Sequence, residues 1–225
     1  MRKSDSTEKR RQRVLEAAAR LIERYGFDKT SMAEIAQEAG VSKGALYLEW
    51  ASKDDLFDAL LAHEMKRLLR DLVERMQSDP HGGQIANLYR HTLLALQANP
   101  LMRALYTRDS RVLGDYARRQ NVERYTSRLT FGQRVVAQMQ AAGLLRSDIR
   151  PEVLAYVFSI IALGFASIGT VIPPEAAPPL EEVVNAIGEL VQHGLAGKGN
   201  GSAAGKQAMA QMAQFMEEQY GDTTE

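Results

Sequence analysis

The stretch that decides the fold is residues 31–53, SMAEIAQEAGVSKGALYLEWASK. Ser31 and Glu34 have the spacing of a capping box, which predicts a helix beginning directly after Ser31. Gly40 adopts positive φ without steric cost and is expected to end that helix. Ser42 is placed to cap a second helix. The pattern therefore predicts two short helices joined by a tight turn.

The apolar positions give each of these helices one buried side. Those of the first helix recur at helical spacing, at Met32, Ile35, Ala36 and Ala39. In the second helix Leu46 and Trp50 lie one turn apart on the inner side. The positions left to point outward are Lys43, Gly44, Ala45, Tyr47 and Leu48. This is the layout of a helix-turn-helix, whose second helix enters the major groove of DNA. The alternative is a plain helical hairpin inside an all-helical domain.

Residues 10–62 resemble the TetR family of bacterial transcriptional regulators. The matching positions are Gly26-Phe27, Thr30-Ser31, Ile35-Ala36, Ala39-Gly40-Val41-Ser42, Leu46-Tyr47, Trp50 and Ser52-Lys53. Several linked positions at the right spacing are more specific than a lone helix-turn-helix pattern.

The resemblance implies a set of DNA contacts. Thr30, Ser31 and Ser42 would lie at helix starts beside phosphate, Lys43, Gly44 and Ala45 would face base edges, and Tyr47 and Lys53 would hold the sugar-phosphate backbone. One position departs from the family, because many members carry a histidine where this chain has Glu49. A carboxylate would repel phosphate there unless it turned toward a neighbouring Lys or Arg, so the family's contact is not carried over to Glu49, and the sequence leaves its orientation open.

Composition and charge are those of a soluble globular chain with a basic front end. The 225 residues are 45% hydrophobic and 25% charged, and the net charge is zero. Through Lys53 there are 11 Lys and Arg against 8 Asp and Glu, and residues 1–13 hold six of these cations. A basic arm before a helix-turn-helix can reach phosphate or the minor groove, although a solvated tail has the same composition. The chain has no cysteine and a polar N-terminus, which favour a cytoplasmic protein without a secretory signal.

Helical periodicity continues through the rest of the chain. Helices are expected over about 53–77, 84–98, 101–109, 115–142, 151–169 and 179–196, and no segment shows the alternation of a strand ladder. The fold class is all-α, with a three-helix helix-turn-helix domain and a larger helical domain for ligand binding and dimerisation. The predicted boundaries are 1–9 for a basic flexible arm, 10–52 for the DNA-binding domain, 53–196 for the effector and dimer domain, and 197–225 for a linker and amphipathic helix.

Residues 153–174 contain no charged side chain, and their length alone would suit a membrane span. Against a span, the stretch contains prolines and several small polar residues, and it lacks flanking basic clusters. A helix apolar on all sides can instead be buried between a core and a partner. The resemblance implies a homodimer through 151–169 and 179–196, and we expect this interface rather than a membrane.

The resemblance also implies a small-molecule effector held by the helices between about 53 and 170. Candidate lining residues combine apolar bulk with a few polar groups: Met65, Tyr89, Met102, Tyr106, Tyr125, Gln133 and Phe165. Each of them suits an ordinary core equally well. The sequence does not identify the effector.

Other chemistry receives little support. The four histidines, His63, His81, His91 and His193, lack metal-ligand spacing, and no phosphate loop or nucleophile motif occurs. We therefore expect no metal, no cofactor and no enzyme activity. Residues 197–205 have the composition of a flexible linker, and a stripe of Met209, Met212, Phe215 and Met216 predicts a final helix that packs on the body or on a second copy.

The sequence thus predicts a homodimeric, ligand-responsive, sequence-specific DNA-binding regulator, most often a repressor in this family. Two alternatives remain from other classes. The first is a helical small-molecule-binding protein with weak or no DNA binding, which Glu49 favours. The second is an enzyme on a helical scaffold.

Overall fold

The computed structural model describes residues 2–119, 122–199, 201–203, 205–207 and 209–210, with side chains from Thr7 onward except those of 118–129. Within these ranges the chain forms helices and no strand. The helices are α1 (Arg2–Tyr25), α2 (Met32–Ala39), α3 (Lys43–Glu49), α4 (Lys53–Ser78), α5 (Ile85–Gln97), α6 (Pro100–Thr107), α7 (Ser110–Arg119), α8 (Val122–Ala141), α9 (Pro151–Ser167) and α10 (Leu180–Leu195). The all-α fold class is confirmed.

The helices form two compact units. The first comprises residues 1–65 and 100–120, and the second comprises residues 66–99 and 121–225. In the first unit α1 packs against α2, α6 and α7, and α2 packs against α3. Its core contains the fully buried side chains of Ile22, Phe27, Ile35 and Leu46. The domain boundaries drawn from the sequence stay predictions.

Helix α5 is the central element of the second unit. It packs against α10 and α9, while α8 packs against α9. Gly188 brings α10 close to α5, since a Cβ at that position would lie 3.3 Å from the Ala86 carbonyl oxygen. The Tyr89 hydroxyl of α5 donates to the Phe158 carbonyl of α9 at 2.7 Å, and the two rings are 4.8 Å apart. These contacts hold α9 and α10 on α5.

Local signals set the helix ends as predicted for most elements. Ser31 and Ser42 cap α2 and α3, and Gly40 follows α2 with φ 66°. The helix expected over 115–142 falls on α7 and α8, with residues 120 and 121 outside the described part. Within α7, Gly114 has a non-helical conformation with φ 51° and ψ −139°. At the N-terminus, α1 begins at Arg2, so the residues predicted as a flexible arm are helical from that point.

The segment after α10 differs from the predicted linker. The Ser202 hydroxyl donates to the Pro80 carbonyl at 2.9 Å and accepts from the Gly83 N–H at 3.2 Å. Lys206 Nζ donates to the Gln77 carbonyl at 3.3 Å, and the Met209 side chain is buried. The described residues of 201–210 are therefore packed on the turn after α4. Met212, Phe215 and Met216 of the predicted stripe lie outside the described residues.

Gly205 is the point of closest approach in this contact. A Cβ at Gly205 would lie 1.8 Å from the Gly83 carbonyl oxygen, so Gly205→Ala forces the segment away from the turn. Overpacking of this kind costs about 1–3 kcal/mol, so we expect trypsin cleavage after Lys206 to become about tenfold faster. Limited digestion followed by mass spectrometry measures this rate. The matched control is Gly201→Ala, whose added Cβ would have its nearest neighbour at 3.9 Å. Equal digestion of the two variants would contradict the contact.

Candidate nucleic-acid interface

The capping box at Ser31 fixes the start of α2. The Ser31 N–H and hydroxyl donate to Glu34 Oε2 at 2.8 and 2.7 Å, and the Glu34 N–H donates back to Ser31 Oγ at 3.2 Å. The hydrogen bonds from the Ser31 side chain and backbone lower the pKa of the Glu34 carboxyl below its ordinary value. The carboxylate also complements the positive end of the helix dipole. Ser31 itself is exposed at the surface.

Helix α3 follows after the turn at Gly40 and Ser42. The Ser42 hydroxyl accepts from the Ala45 N–H at 3.1 Å and so caps the helix. Leu46 and Trp50 are 1% and 4% exposed and hold α3 on the domain. This leaves one side of α3 free for a partner.

The outward side of α3 matches the sequence prediction in most positions. Lys43, Gly44, Tyr47 and Leu48 are exposed, and Ala45 is half-buried. The Lys43 ammonium lies 5.8 Å from the centre of the Tyr47 ring, which is a cation–π distance. A Cβ at Gly44 would meet no atom within 4 Å, so the backbone is open to close approach there.

Glu49, whose orientation the sequence left open, is turned toward a basic side chain. Its Oε1 lies 3.5 Å from NH1 of Arg11 in α1. The Arg11 guanidinium also lies 5.5 Å from the centre of the Trp50 ring. The sequence did not single out Arg11, because the pair is separated by 38 positions.

The turn between α1 and α2, residues 26–30, is held mainly by Lys53. Lys53 Nζ donates to the carbonyls of Phe27 and Thr30 at 2.9 and 3.0 Å, and it lies 4.1 Å from the centre of the Phe27 ring. Thr30 is 3% exposed, and its hydroxyl donates to the Gly26 carbonyl at 2.9 Å. Both side chains therefore hold the protein's own backbone in this structure, and a direct phosphate contact by either stays a prediction.

Helix α7 and a second residue of α4 also contact this turn. The Phe27 N–H donates to the Val112 carbonyl at 2.8 Å, and the Asp115 N–H donates to the Asp28 carboxylate at 3.1 Å. The Phe27 ring also contacts the rings of Phe57 and Tyr116, with centroids 4.9 and 5.6 Å away. The turn is thus anchored by α4 on one side and by α7 on the other.

The candidate effector residues are divided between the two units. In the first unit Met102 is buried, while Met65 and Tyr106 are half-buried; in the second unit Tyr89 is buried, while Gln133 and Phe165 are half-buried. The side chain of Tyr125 lies outside the described part of the chain. A pocket lined by all of them stays a prediction. Among the described residues, no three His, Cys, Asp or Glu side chains group as a metal site.

Comparison with known proteins finds a family whose N-terminal region is similar to that of this chain. Residues 14–60 match the family model described as bacterial regulatory proteins, tetR family. Over these 47 of its 225 residues, the chain is similar to TetR-family regulators. The matched region contains α2 and α3 together with the second half of α1 and the start of α4.

Individual relatives extend the similarity beyond the N-terminal domain. The HTH-type transcriptional repressor AcnR of Corynebacterium diphtheriae is 25% identical over 166 residues, which cover 70% of this chain and 80% of the relative. AcrR of Shigella flexneri is 44% identical over 50 residues, which cover 22% of this chain and 23% of the relative. The matches to AcrR and to several other curated relatives are short. In each of them, the chain spans about a third or less of the relative's length.

A solved structure shows the same fold over most of the chain. NalD of Pseudomonas aeruginosa, described as the secondary repressor of the MexAB-OprM multidrug efflux pump, superimposes with a TM-score of 0.59 at 22% identity. The superposition covers 85% of this chain and 98% of NalD.

The inward role of Lys53 yields a stability prediction. Lys53→Met removes the donor to two carbonyls of the turn, and hydrogen bonds from charged groups are each worth about 1.5–3 kcal/mol. We expect the free energy of unfolding to fall by about 3 kcal/mol or more in urea titrations followed by circular dichroism. Lys29→Met is the control, since Lys29 is exposed in the same turn. Equal midpoints for the two variants would show that the Lys53 contacts do not stabilise the turn.

Proposed function

We propose that this chain is a homodimeric transcriptional repressor of the TetR type that binds a palindromic operator and is released by a small-molecule effector. The observation that carries the proposal is the outward side of α3, where exposed Lys43 and Tyr47 flank an open Gly44 on a helix held in place from behind. Two such helices, about 34–36 Å apart, read successive major-groove faces of one duplex.

Each predicted DNA contact has a role in the proposal. Lys43, Gly44 and Ala45 face base edges, Tyr47 contacts the sugar-phosphate backbone, and Ser31 and Ser42 place their helix starts near phosphate. Thr30 and Lys53 act by fixing the turn from which α2 begins, since their polar groups are bonded to it. Arg11 supports α3 by holding the Glu49 carboxylate at 3.5 Å.

The dimer interface in this proposal is formed by α9 and α10. Val153, Tyr156, Ile160 and Leu163 are 40%, 60%, 56% and 45% exposed, at the 3-4-3 spacing of one helix face. The opposite face of α9 is buried through Leu154, Ala155 and Ala162. On α10, Leu180 and Leu190 are 43% and 75% exposed. An apolar stripe of this length is typical of an interface between protein copies.

The segment that contains α9 is also long and apolar enough to cross a membrane. Pro151–Thr170 has a mean hydropathy of 2.0 and few of its residues are buried within the described chain, so by length and composition alone it is a candidate span. A second copy of α9 covers this face in the proposal. The acidic residues Glu181, Glu182 and Glu189 are exposed on α10, which favours contact with protein and water over lipid.

The proposal places the effector among the helices between about 53 and 170. FadR of Bacillus subtilis, which has the same fold at a TM-score of 0.60 and 16% identity, has been solved in complex with stearoyl-CoA. HdnoR of Paenarthrobacter nicotinovorans is described as nicotine-responsive and is 37% identical over 67 residues. We therefore propose that this chain also responds to an organic small molecule, which acts by binding one state of the dimer more tightly than the other.

The alternative, a helical small-molecule-binding protein with weak or no DNA binding, was favoured by Glu49. In the structure the Glu49 carboxylate pairs with Arg11, so its charge is no longer a reason to reject DNA binding. The relatives named above are transcriptional regulators, and on that basis we propose no enzyme activity. The salt dependence of DNA binding separates the two functions, since phosphate contacts make affinity fall steeply with salt.

The DNA contacts are tested by selecting an operator from random duplexes and measuring its affinity by fluorescence anisotropy. We expect Tyr47→Ala to weaken binding to all sequences, and Lys43→Ala to relax base preference at one position by about 1–3 kcal/mol. Lys198→Ala removes the same charge from an exposed site in the second unit and is the control. If neither α3 variant changes the affinity, the major-groove assignment is wrong.

The interface is tested by Tyr156→Lys, which places charges of the same sign on two facing helices. We expect this variant to sediment as a monomer and to lose operator affinity, because one recognition helix contacts too few bases. Tyr25→Lys is the control, since Tyr25 is 49% exposed on α1. Analytical ultracentrifugation gives the oligomeric state. A wild-type chain that sediments only as a monomer would overturn the dimer.

A further inference from the structure

Leu48 is the most exposed of the large apolar side chains that the structure describes. It is 91% exposed, compared with 78% for Val171 and 75% for Leu190. Single exposed leucines are common on protein surfaces, so exposure alone assigns no role. The position of Leu48 on α3 is what distinguishes it.

Leu48 stands directly opposite the buried side of α3. At about 100° per residue, Leu46 and Trp50 define the inner direction and Leu48 points to the outer one. Gly44 lies one turn earlier on the same outer side and has open space around it. The Leu48 side chain therefore projects where the helix axis can come closest to a groove floor.

The outward side of α3 offers few hydrogen-bonding groups for reading bases. Lys43 and Tyr47 are its exposed polar side chains, while Gly44 and Ala45 contribute no polar side-chain atom. Glu49 is paired with Arg11. Base recognition by this helix must therefore depend in part on apolar contact, and in the major groove the apolar group on a base edge is the 5-methyl of thymine.

We propose that Leu48 is a specificity-determining residue that reads the 5-methyl group of a thymine in each operator half-site. The inference deepens the proposed function and depends on it. A second copy of the chain is a less suitable partner for Leu48 than DNA. The exposed apolar stripe suited to protein contact lies on α9, whereas Leu48 is flanked by Lys43, Gly44 and Tyr47.

The test uses the full-length chain and the operator selected with it. Each thymine of the half-site is replaced in turn by deoxyuridine, which removes the 5-methyl group alone. We expect one replacement to weaken wild-type binding about fourfold, the factor for burying one carbon of this size. Leu48→Ala should bind the thymine and deoxyuridine forms of that position equally well. Its thermal melt should match that of the wild type, since the side chain is exposed.

Val171→Ala is the matched control, because Val171 is 78% exposed and lies outside α3, α9 and α10. It should keep the wild-type discrimination at every thymine. If the wild type binds its operator but Leu48→Ala discriminates at each thymine as the wild type does, the inference is wrong and the proposed function stands. If the half-site holds no thymine, the inference is also wrong. If the wild type selects no sequence, both fail.

Discussion

The helix-turn-helix of the first unit depends on how the turn at residues 26–30 is held. A buried carbonyl without a donor costs about 1–3 kcal/mol, and this turn presents several. Lys53 Nζ satisfies the carbonyls of Phe27 and Thr30, and the Thr30 hydroxyl satisfies that of Gly26. Since Lys53 begins α4 and Thr30 directly precedes the cap of α2, the same bonds fix both ends of the segment that contains α3.

The second anchor of the turn comes from α7. Gly114 has φ 51° and ψ −139°, a backbone conformation that L side chains rarely adopt, so a substitution there would be strained. The Asp115 N–H donates to the Asp28 carboxylate at 3.1 Å. Aromatic contacts of Phe27 with Phe57 and Tyr116 fill the space between the anchors. A change in the backbone at Gly114 would therefore loosen the turn from which α2 begins.

The elements predicted best from the sequence are those whose signals are local. The capping serines, Gly40 and the apolar periodicity gave α2 and α3 correctly, because each signal acts within about four residues. Contacts between distant positions left no such signal. Lys53 reaches carbonyls 26 and 23 residues away, and Ser202 binds the Gly83 N–H 119 residues away. The glycines of 197–205 predicted a flexible linker. In the structure, Gly205 instead packs so closely against the backbone of Gly83 that a larger side chain would not fit.

Helix α9 shows why composition alone cannot assign an apolar helix. A membrane span and a protein interface both require an uncharged surface, so residues 153–174 suited either. The structure adds that one face is buried by Leu154, Ala155 and Ala162, while the exposed positions follow a 3-4-3 spacing. In a dimer with a twofold axis, the apolar stripe of one copy would contact the same stripe of the other copy and be buried by it. In the proposed dimer, the same twofold symmetry is what a pair of recognition helices needs to read a palindrome.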